Sequence, residues 1–579
     1  MSAATATPTP AVPLGGGRLR PPWTTTRVAL TVIAAGFGAG VIWSFGRVGL
    51  SLSTLIDGLS DMRRLFGEML PPDFAGIDRG QVLELTLDTF FIALLGTVLA
   101  VGVSFPVAFL AARNTSPHPA AFYAGRAVIV SARAIPDLVF ALVFVRAFGI
   151  GVLPGVLAIG LHAVGMVGKL FADAVEQIDE GPREAIVATG ASPLQVLSSG
   201  VLPQVTPSFI GTAMYRLDIN FRTATILGFV GAGGIGLLLD LYKGSLRYDL
   251  MLAVTAFVVV TVIVVEWASA QVRRTVLGGE TVGRPSLLQR IVGRRPGRAP
   301  QPLGPEPSGA ATTEVAFDHE KLRPPWTTER VRLATFGAIG LVLVVIAQWW
   351  TDVSFLDVVT SSGEILSLLG RLVPTDLDWF TPDIREALVE TLALGFAATF
   401  LGVLVALPLG FLAARNVAPA RWVYAAARYL VVVVRAVPEL IIAVVFVAAV
   451  GLGPFPGVMA LAVGTVGFAT KLFADAIEEV SPGPREGVTS TGATRVQESS
   501  TGVLTQAMPA LVGHTLYMLD INIRSSVIVG IVGAGGVGYY LIQAQKQLRW
   551  DTIGGIMLVV FGVVFAIELI STWVRRRLI

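Results

Sequence analysis

The chain has 579 residues, 53% of them hydrophobic and only 14% charged, with a mean hydropathy of +0.71. Soluble proteins carry roughly 25% charged residues, so this composition excludes a string of soluble domains and, over most of the chain, disorder; it specifies a polytopic membrane protein. A net charge of +3 gives no reason to expect nucleic acid, the lack of cysteine removes disulfides and thiolate chemistry, and four scattered histidines (His118, His162, His319, His514) argue against a His-based metal site.

In chain order, residues 1–27 read as a disordered cytoplasmic N-terminus. Six apolar spans follow, near 28–48, 86–111, 124–148, 152–171, 206–230 and 250–271, each long enough for a helix to cross about 30 Å of hydrocarbon. Between the first two, Leu52, Leu55, Ile56, Leu59, Met62, Phe66, Met69 and Leu70 share one helical face. That face suits an amphipathic helix lying in the outer interface or one packed on its own bundle. Residues 273–322 are basic and Pro/Gly-rich and read as a cytoplasmic linker. The pattern then restarts, with spans near 331–350, 388–413, 426–450, 454–473, 508–532 and 552–574 and a second outer segment at 351–386.

The restart is a duplication. Arg20-Pro-Pro-Trp-Thr-Thr recurs from Arg323, Phe109-Leu-Ala-Ala-Arg-Asn from Phe411, Lys169-Leu-Phe-Ala-Asp-Ala from Lys471, and Asp218-Ile-Asn from Asp520. From Phe109 onward the offset is a constant 302, giving a first module at 28–272 and a second at 323–579. The first span is no signal peptide, because its counterpart lies mid-chain. Arg18, Arg20 and Arg27 precede the first span, Arg273 and Arg274 follow the sixth, and Arg575, Arg576 and Arg577 follow the twelfth. These ends are therefore expected in the cytoplasm. With an even number of spans per module, both insert the same way up, related by a pseudo-twofold axis along the membrane normal.

The segment after the fourth span predicts two short helices with a corner. Pro182 suits a first helical turn, Gly190 a left-handed stop, and Ser192, Pro193 and Gln195 a capped restart. Pro484, Gly492, Thr494 and Gln497 repeat the logic. Glu184-Ala185, Gly190 and Leu202-Pro203 match the spacing of the EAA loop of ABC-importer permeases, which the chain resembles. The resemblance to the phosphonate-importer branch extends over most of each half, strongest at Arg133-Ala-Ile-Pro-Asp-Leu, Gly168-Lys-Leu-Phe-Ala-Asp and Gly228-Phe-Val-Gly-Ala-Gly-Gly-Ile-Gly. It implies an all-α protein of two tandem six-helix type I importer modules, about 12 transmembrane helices in one polypeptide. It further implies that Glu184, Ala185, Gly190, Leu202, Pro203, Glu486, Gly492 and Leu504 dock on a cytoplasmic ABC ATPase homodimer. ATP and Mg would sit on that partner, and a solute-binding protein would deliver substrate at the outer face. Departures are Gly200, where the pattern prefers a branched apolar residue, Gly487 in place of alanine, and Thr505 in place of proline.

Charges recur inside the spans at a spacing of four: Arg133 with Asp137, Arg435 with Glu439, Asp218 with Arg222, and Asp520 with Arg524; Arg216 is matched by Met518. Such groups cost roughly 2.5–3.5 kcal/mol each at mid-membrane, and the spacing lets each pair neutralise itself along one helix face. They are either structural ion pairs or a translocation path in which Arg222 and Arg524 lower the barrier for an anion. Pro136 and Pro438 are expected to kink the third and ninth spans as a gate. Gly233 and Gly535 lie in G-x-G-x-x-G strings that follow a helix rather than a strand. They therefore read as close packing or a hinge, not a dinucleotide site. No G-x-x-x-x-G-K-[ST] occurs, so ATP hydrolysis would need a separate subunit. The chain reads as a non-enzyme importing a phosphonate, phosphate or phosphite. The alternative is a secondary anion transporter with two six-helix halves.

Overall fold

The computed structural model describes residues 25–49, 52–277, 328–354, 358, 360 and 362–578. The first module begins with α1 (Thr25–Val48), α2 (Leu52–Met69), α3 (Arg79–Ala111), α4 (Pro119–Ala134), α5 (Asp137–Phe148) and α6 (Val152–Glu176). Two short helices, α7 (Glu180–Ala188) and α8 (Pro193–Val196), lead to α9 (Leu202–Leu227), α10 (Gly236–Gly244) and α11 (Tyr248–Leu277). The second module repeats the series as α12 (Thr328–Thr351), α13 (Ser362–Arg371), α14 (Pro382–Ala413), α15 (Arg421–Ala436), α16 (Glu439–Val450) and α17 (Pro454–Glu478). Then come α18 (Pro482–Ser490), α19 (Arg495–Gln497), α20 (Thr505–Ile531), α21 (Gly538–Lys546) and α22 (Trp550–Leu578). No strand is present among the described residues. The expected N-terminus 1–27 and linker 273–322 lie almost wholly outside the described residues, although α11 continues to Leu277.

Each module is centred on one long helix pair, α3 with α6 and α14 with α17. Small residues permit the approach: a Cβ on Gly96 would lie 2.9 Å from Ile159, and one on Gly402 would strike Thr465. Buried polar knots tie the pair to the next helix. Asn220 Nδ2 donates to Thr97 Oγ1 at 2.9 Å, and Asn522 Nδ2 to Thr399 Oγ1 at 2.8 Å. Amides buried this deeply need such partners. The two modules also exchange their first helices. α1 lies on α14, with Phe45 edge-on to Phe400, and α12 lies on α3, where Trp350 Nε1 donates to Asp88 Oδ1 at 3.0 Å.

Eight helices, α1, α3, α6, α11, α12, α14, α17 and α22, are long and apolar enough to cross a membrane among the described residues. The two bent pairs, α4–α5 and α15–α16, raise this to ten. The expected fifth and eleventh spans form as α9 and α20, of 26 and 27 residues, but their charges keep them below the same apolar standard.

The expected third and ninth spans are corrected by the structure. Instead of a kinked helix, each is two helices meeting at 85° and 81°. Proline disfavours helical geometry in the residue before it, and Ile135 (ψ 122°) and Val437 (ψ 121°) are extended. Pro136 and Pro438 therefore cap α5 and α16 rather than bend a continuous helix.

The outer helix α2 packs on its own bundle, one of its two expected placements, but also reaches the other module. It packs on α11 of its own module and on α16 of the other. Leu65 and Met69 are buried, whereas Ile56 and Leu70 of the expected face are exposed. Leu65 and Met69 face a seam between modules. Its twin α13 bridges in the same way, touching α22 and α5.

Candidate functional site

The corners after α6 and α17 form as their caps dictate. Asp179 Oδ1 accepts from Gly181 N at 3.0 Å to start α7, and Gly190 (φ 77°) and Gly492 (φ 79°) take the left-handed conformation that lets the chain turn. Capping boxes at Ser192/Gln195 and Thr494/Gln497 start α8 and α19. One feature is unanticipated: π-helical turns at Leu197–Val201 and Glu498–Leu504 join the short helices to α9 and α20. Gly200 and Gly502 explain themselves there. A Cβ at either would sit 3.2 and 3.1 Å from the Cα of Arg183 and Arg485, so glycine lets the arms of each corner close.

Gln204 and Gln506, at the base of each corner, were not singled out by sequence reasoning. The Gln204 amide accepts from Asp179 N at 3.0 Å and donates to Asp179 O at 3.1 Å and Gly200 O at 2.7 Å. Gln506 donates to Ser481 O and Gly502 O. Beneath them, Asn114 Nδ2 donates to Val175 O and Asn416 Nδ2 to Ile477 O, each at 2.7 Å. Arg126 pairs with Glu176 at 2.7 Å and Arg428 with Glu478 at 3.4 Å. Gln204, Asn114, Arg126 and Glu176 recur at the offset of 302, the signal that marks them. The corners are thus clasped to the long helices rather than hung on loose loops.

The internal arginine of each corner is held differently. Arg183 pairs with Glu180 of its own helix, whereas Arg485 reaches Glu498 on the π-turn. At the equivalent positions stand Pro482 and Val196, so the carboxylate has changed arms between modules. The Arg183 hydrogen bond, followed by that of Asn114, holds the Glu180 carboxyl below its ordinary range despite opposing desolvation. This contribution is present above the ordinary carboxylate range and is lost as pH falls through the depressed value. Glu184, Ala185, Glu486, Gly492 and Pro203 are exposed on the corner surfaces, Leu202 and Leu504 half-buried at their roots. Val187, Leu194 and Val496 add exposed apolar surface. A cavity of about 700 Å³ opens beside the second corner, lined by Asn416, Arg485, Glu486 and Arg495 among others.

At the opposite end, the glycine strings form a packed turn. Gly231, Gly233, Gly234, Gly533, Gly535 and Gly536 all have positive φ. Gly151 N donates to Gly231 O at 3.1 Å and Gly453 N to Gly533 O at 3.0 Å. Thr89 Oγ1 accepts from Ile235 N, and Thr391 Oγ1 from Val537 N. A Cβ on Gly236 would strike the Thr225 carbonyl, and one on Gly538 that of Val527. Gly236→Ala is therefore expected to cost about 2 kcal/mol through overpacking, read as a lowered midpoint in denaturant titration.

Between these ends lies the charged group. Asp218 and Arg222 pair at 2.8 Å with both side chains nearly buried, and Asp520 pairs with Arg524. These two expectations hold. The other two are corrected: the helix breaks between Arg133 and Asp137, so they do not stack along one face, and the same is true of Arg435 and Glu439. Asp137 Oδ1 accepts from the Leu138 N–H at the start of α5, at 2.8 Å, where a carboxylate favours the helix dipole. Arg435 turns to the other module, 3.9 Å from Glu266 of α11, and lies over the Phe468 ring. A helix break strands carbonyls. Here Arg222 Nη1 donates to Arg435 O at 3.3 Å across the module boundary, and His162 Nδ1 lies 3.0 Å from Ile135 O. Glu439 is hydrogen-bonded to Ser525. Arg216 is 4% exposed, with Met166 Sδ 3.2 Å from its Nη1. Among the described residues no group of three or more His, Asp or Glu could hold a metal ion.

Two tandem helical modules with paired corners at one end and a shared buried charge group define the membrane permease of a binding-protein-dependent transport system. The chain belongs to the family of binding-protein-dependent transport system inner membrane components, which matches residues 104–277 and again 406–579. It is 44% identical over 529 residues, 91% of each chain, to the phosphate-import permease protein PhnE of Mycolicibacterium smegmatis. It is also 47% identical over 228 residues to the phosphite transport system permease protein PtxC of Stutzerimonas stutzeri, covering 39% of this chain and 81% of that one. Among solved structures, an inward-facing MetNI methionine ABC transporter aligns at 24% identity and a TM-score of 0.31, over 34% of this chain and 96% of that one.

Proposed function

We propose that the chain is the complete transmembrane path of an ATP-driven importer for a phosphorus oxyanion: phosphate, phosphite or a phosphonate. The observation that carries this reading is the pair of clasped corners, Glu180–Val201 and Pro482–Leu504, fused in one chain that is 44% identical to a phosphate-import permease over nearly its whole length. A knob fixed to two long helices transmits a push, and exposed Val187, Leu194 and Val496 offer apolar anchors that a partner would cover. The partner is a cytoplasmic ATPase homodimer presenting one groove to each corner, and ATP and Mg sit on it. A solute-binding protein delivers the anion at the outer face, near the glycine turns. The N- and C-terminal ends and both corners then lie in the cytoplasm.

ATP-driven closure of the ATPase dimer would draw the corners together and rock the modules. Pro136 and Pro438, at the breaks, and Gly233 and Gly535, in the turns, are the gate and hinge positions in this reading. Arg222 and Arg524, each half-neutralised by an aspartate, would lower the barrier for an anion without trapping it.

The test is uptake in proteoliposomes containing the chain, its ATPase and its binding protein. Phosphate, phosphite or methylphosphonate should accumulate only with ATP inside the assembly's ATPase compartment and with the binding protein present. Accumulation by the chain alone on an ion gradient would instead establish the secondary transporter.

A further inference from the structure

We propose that Arg216 and His162 form a single oxyanion subsite in the first module, off the pseudo-twofold axis; this rests on the reading of the chain as an oxyanion permease. The two modules differ here inside the spans. Opposite Arg216 stands Met518, and opposite His162 stands Gly464. In the second module the long Glu439 side chain fills the space over Gly464: a Cβ there would lie 2.9 Å from Glu439 Oε1 and 3.0 Å from its Cγ. In the first module the acid is the shorter Asp137, and the imidazole of His162 takes up the difference.

The donors are placed for a ligand. The Ile135 carbonyl can only accept, so His162 Nδ1, 3.0 Å away, carries the proton, and Nε2 on the far side of the ring is left for other work. Arg216 is 4% exposed, yet it donates to a thioether at 3.2 Å, a weak acceptor, and among the described residues its Nε has no hydrogen-bond partner. Arg222 and Arg524, by contrast, each hold an aspartate.

A guanidinium buried with unspent donors is costly, and a tetrahedral oxyanion satisfies it with two parallel hydrogen bonds. Asp137 interacts electrostatically with both His162 and Arg216, and Arg524, Tyr215 and Tyr517 complete the surroundings. Asp137 keeps the subsite from holding the anion too tightly, as a path requires. The site takes a monoanionic or dianionic phosphorus oxyanion, one per chain.

Methylphosphonate is the probe. The purified full chain in nanodiscs should broaden its ³¹P resonance, and Arg216→Met, which installs the second module's own residue, should weaken that binding about tenfold or more. Arg216→Lys should retain at least half of the broadening. The melting temperature of Arg216→Met should stay near that of the parent, as Met518 is accommodated at the equivalent position. Equal broadening by parent and Arg216→Met, loss in the lysine variant as complete as in the methionine variant, or no broadening by the parent overturns the subsite. The outcome is separable from the import reading: ATP-driven uptake by the parent assembly tests the latter, whatever the nanodisc spectra show.

Discussion

Glu184→Lys combined with Glu486→Lys is expected to reduce ATP-driven uptake about 100-fold while leaving the amount of inserted, folded chain unchanged. Both glutamates are exposed on the first arm of their corners and make no ion pair with another described residue. Substitutions at such positions change stability by about 0.5 kcal/mol or less. Facing a partner, however, a reversed charge costs several kcal/mol, and two reversed corners act on both halves of the ATPase dimer. Each single variant should lie between parent and double. Uptake by the double variant at the parent rate would remove the glutamates from the coupling surface. Arg183 and Arg485 behave differently, since they are spent internally on Glu180 and Glu498. Arg183→Met should loosen the corner itself, visible as faster amide exchange across α7.

Much of the fold was legible because duplication doubled the signal. Caps and glycine stops are local chemistry, and Ser192, Gln195, Gly190 and their twins formed the corners that their order implies. Three things were not legible. The proline breaks looked like kinks because a hydropathy run does not register a single extended residue such as Ile135. Once the helix breaks, spacing of four no longer means a shared face, which is why Arg435 pairs with Glu266 in the other module. The exchange of α1 and α12 between modules leaves no trace in either helix: both are apolar on most faces, and it is tertiary contacts such as those of Phe45 and Trp350 that reveal which bundle each joins. Among candidate site residues, those carrying charge were found from their rarity in apolar spans. Gln204, Asn114 and Arg126 lie at span ends, where polar residues are common, and only their recurrence distinguished them.

The Asp218–Arg222 pair separates a structural role from a role in the path. Removing Asp218 alone, as Asp218→Leu, leaves the buried Arg222 guanidinium with the Arg435 carbonyl as its hydrogen-bond acceptor among the described residues. Breaking a buried pair in this way costs about 3–5 kcal/mol, a loss visible as a large fall in the denaturation midpoint. Asp218→Leu with Arg222→Met removes both charges, and should recover about 2 kcal/mol of that loss. Recovery is incomplete, because the carbonyl stranded at the end of α15 loses its donor. Stability and transport then diverge. If Arg222 lowers the barrier for the anion, the refortified double variant should still import about tenfold more slowly than the parent, and adding Asp520→Leu with Arg524→Met should deepen the defect. If import returns along with stability, the pairs are held in the membrane for packing alone, and the anion is met by other residues.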